Sequence, residues 1–258
     1  MANYLTYPFK AMRITQSYTG TTSHLPHTTG TPKDYPLDEG DKDGGRSPFY
    51  CPCDEVVIDR IYGVGNSGVN TLWITSTKKV IFADCSEDYA TIQITHPNDS
   101  DIKKLKVGQK FKRGEIICYE GTDGASGNHI HHSVGKGKIK GNGWTKNTKG
   151  KYVLTTTDGT LKPEKAYAVD EKFTKVVNAA GLKFKTLTQV EKAYNKKKET
   201  YTVTANLLNC RKTPSAKGAV VCQFKKGEKL EITSTKEADG LKWGKCSKGW
   251  VALKYCKK

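Results

Sequence analysis

All six histidines of this 258-residue chain fall between positions 24 and 132. Three of them close the run Gly127-Asn128-His129-Ile130-His131-His132. Read as a strand, this run sends the His129 and His131 side chains to one face and His132 to the other. A fold that contains it must therefore set two imidazoles side by side on one surface. A single strand histidine is more often a structural hydrogen-bonding residue than a ligand, but an H-x-H pair converges on one point at close range. Catalytic zinc takes three protein ligands and leaves a fourth position for water, so histidines beyond the ligand set are free for acid–base work. The helical H-E-x-x-H signature is absent, which excludes a zinc site of that kind.

The segments around the histidines predict short strands. Glu55–Tyr62, Asn70–Thr75, Tyr89–His96 and Glu115–Glu120 are rich in β-branched residues and are separated by turn-forming ones. Their close spacing leaves no room for βαβ crossovers and predicts a mainly β chain with an antiparallel core. Residues 8–50 read as irregular loop between short strands. Residues 171–181 predict a short helix, and the charged stretch from Gln189 to Glu199 reads as a linker with partial helical character. From Tyr201 to Tyr255 short strands return, broken by Gly-containing turns, in a module of a size that just folds alone. No stretch approaches the roughly 20 apolar residues of a membrane span.

Charge divides the chain. Residues 1–135 hold 14 Lys/Arg against 16 Asp/Glu, and residues 136–258 hold 29 against 10. A basic C-terminal half attracts polyanions such as nucleic acid, an anionic membrane or an anionic wall polymer. Nothing in the sequence reads bases or cradles phosphates, so nucleic acid is not expected as a partner. The eight cysteines do not resemble a disulfide-dense mini-protein. Cys51-Pro52-Cys53 lacks a second pair, and Cys118, Cys222 and Cys246 sit in apolar alternating runs, so all are read as reduced thiols.

The order of motifs adds a resemblance. Ile14–Gly20 precedes Ser23-His24, followed by Asp34-Tyr35-Pro36-Leu37-Asp38 and Phe49–Val57. Thr95-His96-Pro97 comes next, then Leu105–Ile116 with its Lys106-Val107-Gly108-Gln109 start and Gly114-Glu115-Ile116 end, then Gly121–His131. This series resembles the lysostaphin/LytM-type zinc metallopeptidases that cut peptidoglycan peptides, over roughly residues 8–135. The resemblance implies His24, Asp38 and His131 as zinc ligands, and His96 and His129 as the catalytic pair. His27 and Asp34 compete for the roles of His24 and Asp38, because the spacing between the early His and the Asp is longer than the family's usual one. His132 stands where the family carries an apolar aromatic, and a structural role is expected for it.

Further along, Tyr201–Ser215, Phe224–Ile232, and Trp243–Cys246 with Gly249–Tyr255 resemble the opening, middle hairpin and closing G-W-V strand of bacterial SH3-like domains, with Cys210 at the usual Val. Trp243, Trp250 and Tyr255 are expected in its core. Together the resemblances imply an antiparallel LytM-type peptidase core over residues 1–135, a basic extension over 136–187, a linker over 188–199, and an SH3-like β-barrel over 200–258 that binds the cell wall. They imply a monomeric peptidoglycan hydrolase with Zn2+ as cofactor, peptidoglycan and anionic wall polymers as partners, and no membrane span. The N-terminus lacks the basic start and apolar core of a secretory signal. The expectation is therefore a bacteriophage endolysin, made in the host cytoplasm and acting on a Gram-positive wall after the membrane is breached. The other implied reading is a LytM-like protein without catalysis that binds the wall or activates another hydrolase.

Overall fold

A computed structural model describes residues 2–19, 24, 35–40, 45–64, 69–138, 144–146, 152–154, 160–197 and 199–258. The chain is mainly β and separates into two compact units, Met1–Val190 and Glu191–Lys258. The first is organised by one eight-stranded sheet. Its strands are β1 (Ala11–Gln16), β2 (Leu37–Glu39), β3 (Glu55–Tyr62), β4 (Thr71–Ser76), β5 (Ala90–Thr95), β6 (Lys110–Lys112), β7 (Ile130–Lys136) and β8 (Lys175–Asn178). They lie in the order β8-β1-β2-β7-β5-β4-β3-β6. Every pair is antiparallel except β1 with β8.

β8 corrects the helix expected over 171–181. Val176 and Val177 are β-branched, and the segment pairs in parallel with β1 at the sheet edge, where both valines stay exposed. Edge pairing with β1 supplies a ready template for the segment's backbone, whereas a helix of this length would have to bear its nucleation cost alone. The helix Leu187–Lys197 covers most of the stretch read as a linker, and the boundary between the two units falls inside that helix, after Val190.

The central strands explain where the core sits. β4 and β5 are buried along their full length on both faces. One face carries Leu72, Ile74, Ile92 and Ile94 into an apolar cluster with Leu37, Phe49, Val56 and Ile130. The other face carries Thr71, Thr75, Thr91, Gln93 and Thr95, whose hydroxyls are bonded to one another or to nearby backbone and Asp59, with Gln93 Oε1 alone of the set left without a partner among the described residues. Thr75 and Thr91 hydroxyls meet at 3.0 Å, and Gln93 Nε2 donates to Thr95 Oγ1 at 2.9 Å. The polar side of the alternation is thus buried as a hydrogen-bonded layer rather than wet, which avoids the cost of orphaned hydroxyls.

The second unit holds a five-stranded and a three-stranded sheet. The larger is built from β9 (Leu207–Arg211), β10 (Val220–Lys225), β11 (Ser234–Ala238), β12 (Leu241–Cys246) and β13 (Gly249–Ala252), in the order β10-β9-β13-β12-β11. Val203, Leu208, Cys210, Phe224, Leu230, Ile232, Cys246, Val251 and Leu253 form its own apolar cluster. Trp243 is buried with its indole N–H donating to Ala238 O at 3.0 Å, whereas Trp250 is half-buried and Tyr255 is 42% exposed. Among the described residues no helix is long and apolar enough to cross a membrane.

Candidate metal centre

One cross-strand row builds the centre. His131 on β7 lies opposite Asp38 on β2 and Thr95 on β5, Asp38 lies opposite Gln16 on β1, and Thr95 lies opposite Thr71 on β4. Directly opposed residues share a face, so register alone brings Asp38 beside His131. The next row, Leu37–His132–Ile94–Leu72, faces the apolar core. A slip of one residue would exchange the two rows and bury the charged set.

The third member comes from the loop after β1. His24 is buried, and its Nδ1–H donates to Ser17 O at 2.9 Å. That bond fixes the tautomer and leaves Nε2 as a lone-pair donor aimed at the row. His24 Nε2 lies 3.1 Å from Asp38 Oδ1 and 3.2 Å from His131 Nδ1, and His131 Nδ1 lies 3.0 Å from Asp38 Oδ1. Among the described residues these three form the one group of His, Cys, Asp and Glu side chains able to hold a metal ion. His27 and Asp34 lie outside the described residues.

The donor triangle fits a cation. With its proton held on Nδ1 by Ser17 O, His24 turns the Nε2 lone pair toward a carboxylate oxygen at 3.1 Å, an arrangement that a cation between them relieves. Zinc–nitrogen and zinc–oxygen bonds of about 2.0–2.1 Å place tetrahedral ligands roughly 3.3–3.4 Å apart, a few tenths of an ångström above the three distances found. Two nitrogens and one carboxylate oxygen match the borderline preference of zinc. Burial works against ionisation of Asp38, but the His131 and His24 rings, at 3.0 and 3.1 Å, prevail and hold its carboxyl below the usual range.

Two more imidazoles flank the triangle. His96 follows β5 and His129 precedes β7, with ring centroids 4.5 Å apart. His96 Nδ1–H donates to Asp123 O at 2.7 Å, and His129 Nδ1–H donates to Gly127 O at 2.9 Å. Both rings are thereby fixed with Nε2 as the open lone pair, and His129 Nε2 stands 3.8 Å from Asp38 Oδ1. Burial, followed by the neighbouring His129 and His131, pushes His96 down to about 4 against the opposing Asp123 carbonyl, so it is neutral at pH 7. His96 also adopts φ 83°, a left-handed conformation a non-glycine residue holds only when its surroundings over-determine it.

Several residues that sequence reasoning passed over hold this geometry. Asn70 is 1% exposed and accepts His96 N–H at 3.0 Å through its carbonyl. Its own N–H donates to Asp123 Oδ2 at 2.6 Å, and its Nδ2 donates to Pro97 O at 3.1 Å and Asp99 Oδ1 at 2.8 Å. It thus ties both chain segments that orient His96. Gly40 ends β2 where a Cβ would come 2.7 Å from Asn128 O and 2.9 Å from His129 Cβ. Gly121 lies where a Cβ would meet His96 O at 2.4 Å. The signal was present as glycines and an asparagine at strand ends, but only the tertiary approach gives it meaning.

His132 points away from the triangle into a cage of Tyr7, Phe9, Phe49 and Tyr167, with Nδ1 3.2 Å from Tyr167 Oη. On the same buried side, desolvation, with the charge of Glu120 adding to it, raises the Glu39 carboxyl to about 8 despite hydrogen bonds from Tyr7 and Arg13 N–H.

No protein-family model matches the chain, and no curated protein matches it. Among solved structures it is similar to "The antimicrobial peptidase lysostaphin from Staphylococcus simulans", at 14% identity and a TM-score of 0.32, covering 96% of this chain and 92% of that one. It is also similar to "NMR solution structure of lysostaphin", at 12% identity and a TM-score of 0.34, covering 97% and 91%. Likenesses of this size carry no argument about activity.

Proposed function

We propose that this chain is a zinc-dependent endopeptidase that hydrolyses peptide bonds of bacterial peptidoglycan. The observation that carries the reading is the His24–Asp38–His131 donor triangle with two tautomer-fixed imidazoles beside it. The motif order read from the sequence supports the LytM-type assignment. His24 Nε2, Asp38 Oδ1 and His131 Nδ1 are the atoms that would hold the ion. Bound zinc supplies Lewis acidity toward the scissile carbonyl and toward an attacking water. His96 and His129 supply the proton transfers. Each turns an Nε2 lone pair toward the site, which takes a proton from the attacking water or, once protonated, delivers it to the leaving amine. The backbone carbonyls of Asp123 and Gly127 keep the rings from turning the wrong nitrogen inward.

The wall-anchoring role belongs to the C-terminal unit in this proposal, as an SH3-like module, and the pairing of a hydrolytic unit with a basic all-β unit supports the endolysin reading. The test is mass spectrometry of fragments released from purified Gram-positive peptidoglycan by zinc-loaded protein, with a chelator control. New peptide amino termini that vanish with chelator are expected, and they name the bond. His131→Ala should lose both metal and release, whereas His129→Ala should keep the metal and lose release. Unchanged release from both variants would sink the assignment.

A further inference from the structure

We propose that the outward face of the C-terminal five-stranded sheet binds a phosphodiester-linked polyol chain, an anionic polymer of the bacterial wall, through a surface that takes no residue from the metal centre. The proposal deepens the anchoring part of the reading above and does not depend on peptide cleavage.

Register defines the face. Arg211 on β9 lies opposite Trp250 on β13, Trp250 opposite Lys245 on β12, and Lys245 opposite Ser234 on β11. Their chain neighbours Cys210, Val251 and Cys246 point the other way, into the apolar cluster. By the same alternation Lys225, opposite Leu207, and Lys236, opposite Trp243, stand on this side; Trp243 and Ala252 within it are buried, so the open part of the face is the Arg211–Trp250–Lys245–Ser234 row and the edge strands beside it. Four cations thus share one surface, and among the described residues none of its strand positions carries a carboxylate. Glu237 alternates to the other side beside Lys242, and Asp239 sits in the turn, accepting from Ser215 Oγ and Ala216 N–H. The unit as a whole has 17 Lys/Arg against 6 Asp/Glu.

The face is apolar between its charges. Leu207 is 53% and Val220 49% exposed, and Lys245 Nζ stands 5.9 Å from the Trp250 ring centroid. Cations spaced by carbon surface and an indole suit a flexible chain that alternates phosphate charges with short C–H segments. The lysines and arginine take the place of counterions condensed on the phosphates and release them to solution, while the polyol lies on Trp250 and Leu207. Duplex DNA, a stiff polyanion read through its grooves, is the competing occupant that the second arm of the test separates. A neutral cross-bridge peptide would give the cations nothing to pair with.

The test uses the full chain with chelator present and purified poly(glycerol phosphate), titrated by calorimetry from 50 to 200 mM salt. Duplex DNA matched in charge forms the second arm. The R211Q/K236Q/K245Q variant should bind at least tenfold more weakly at 100 mM salt. Its log K against log salt slope should fall by about 2, at ~0.7 for each phosphate left unneutralised. K229Q/K242Q/K257Q, which removes equal charge off the face, should change affinity less than twofold. Arg211 also donates to Gly218 O at 2.7 Å, so K236Q/K245Q serves as the variant that leaves that loop tied, with a slope change of about 1.4 expected. No binding, equal loss from both triple variants, or DNA binding as tight as poly(glycerol phosphate) would each overturn the proposal. Peptide release from peptidoglycan is read separately, so its failure refutes the peptidase and leaves this surface standing.

Discussion

Acid should weaken the N-terminal unit through His132, and the size of the effect follows from where the ring sits. Burial among apolar rings pushes His132 down to about 3 in the folded chain, against about 6.5 for an exposed histidine. Its Nε2 is buried without a hydrogen-bond partner among the described residues, so a charged ring finds no compensation inside the aromatic cage. The unfolded chain binds a proton below pH 6.5 and the folded chain does not until pH 3. Stability is therefore full above pH 6.5 and falls as pH drops through that window, by about 1.4 kcal/mol per pH unit. Between pH 8 and pH 4.5 the loss assigned to this residue is about 2.7 kcal/mol. His132→Phe keeps a ring among Tyr7, Phe9, Phe49 and Tyr167, while His132→Leu removes it, and neither titrates. Native-state amide exchange at Ile94 and Val134, corrected for intrinsic rates and followed with chelator present, reads the stability of this core directly. Both variants should lose less stability than wild type across the window, by about 2.7 kcal/mol, whatever their stability at pH 8. His96, held at about 4, contributes its own acid loss to all three proteins and cancels in the comparison. Identical pH dependence in wild type and both variants would refute the account of a buried neutral ring.

Three further outcomes follow from the centre. Zinc at a hundred times its Kd should raise unfolding stability by about 2.7 kcal/mol, read as a chelator-reversible rise in Tm that His24→Ala abolishes; no change in wild type would show the triangle does not hold the ion. Gly40→Ala places a Cβ 2.7 Å from Asn128 O, so β2 and the Asn128-His129 segment must separate by about half an ångström. A stability loss of about 1–3 kcal/mol in urea titration is expected from the overpacking, together with a drop in peptide release that metal content does not explain. Asn70→Ala removes the side-chain donor to Pro97 O and Asp99 Oδ1 and should cut release about 10–100-fold with zinc content unchanged. Long-range nitrogen–proton NMR should then show His96 sampling both tautomers, and a single retained Nδ1–H tautomer would argue against its positioning role.

How far the chain was legible depends on whether a feature is local. Strand positions were, because β-branched runs bounded by turn residues specify them: Glu55–Tyr62 was expected and observed with the same bounds. The facing of His131 and His132 was also legible, since alternation is a property of two neighbouring residues. The edge strand β8 was not, because its valines are stabilised by β1, more than 150 positions earlier in the chain, and charged residues around them mimic a short helix. The buried polar layer of β4 and β5 was equally hidden. Alternation places Thr71, Thr75, Thr91 and Thr95 on one face but does not say whether that face is wet, which depends on their hydroxyls meeting one another across the strands.

The centre divides the same way. Residue types and motif order suggested which histidines matter, but the backbone carbonyls that decide how they act, Ser17, Asp123 and Gly127, have no side-chain signature at all. Any residue could supply such a carbonyl, and only the loop path aims it. The left-handed backbone of His96 makes the same point from the other side. Sequence favours glycine at such a φ, yet the fold sets an imidazole there and holds it through Asn70 and Asp123. A ring kept in that conformation keeps Nε2 free and its rotamer fixed, which is what proton transfer requires and what local propensity would never select.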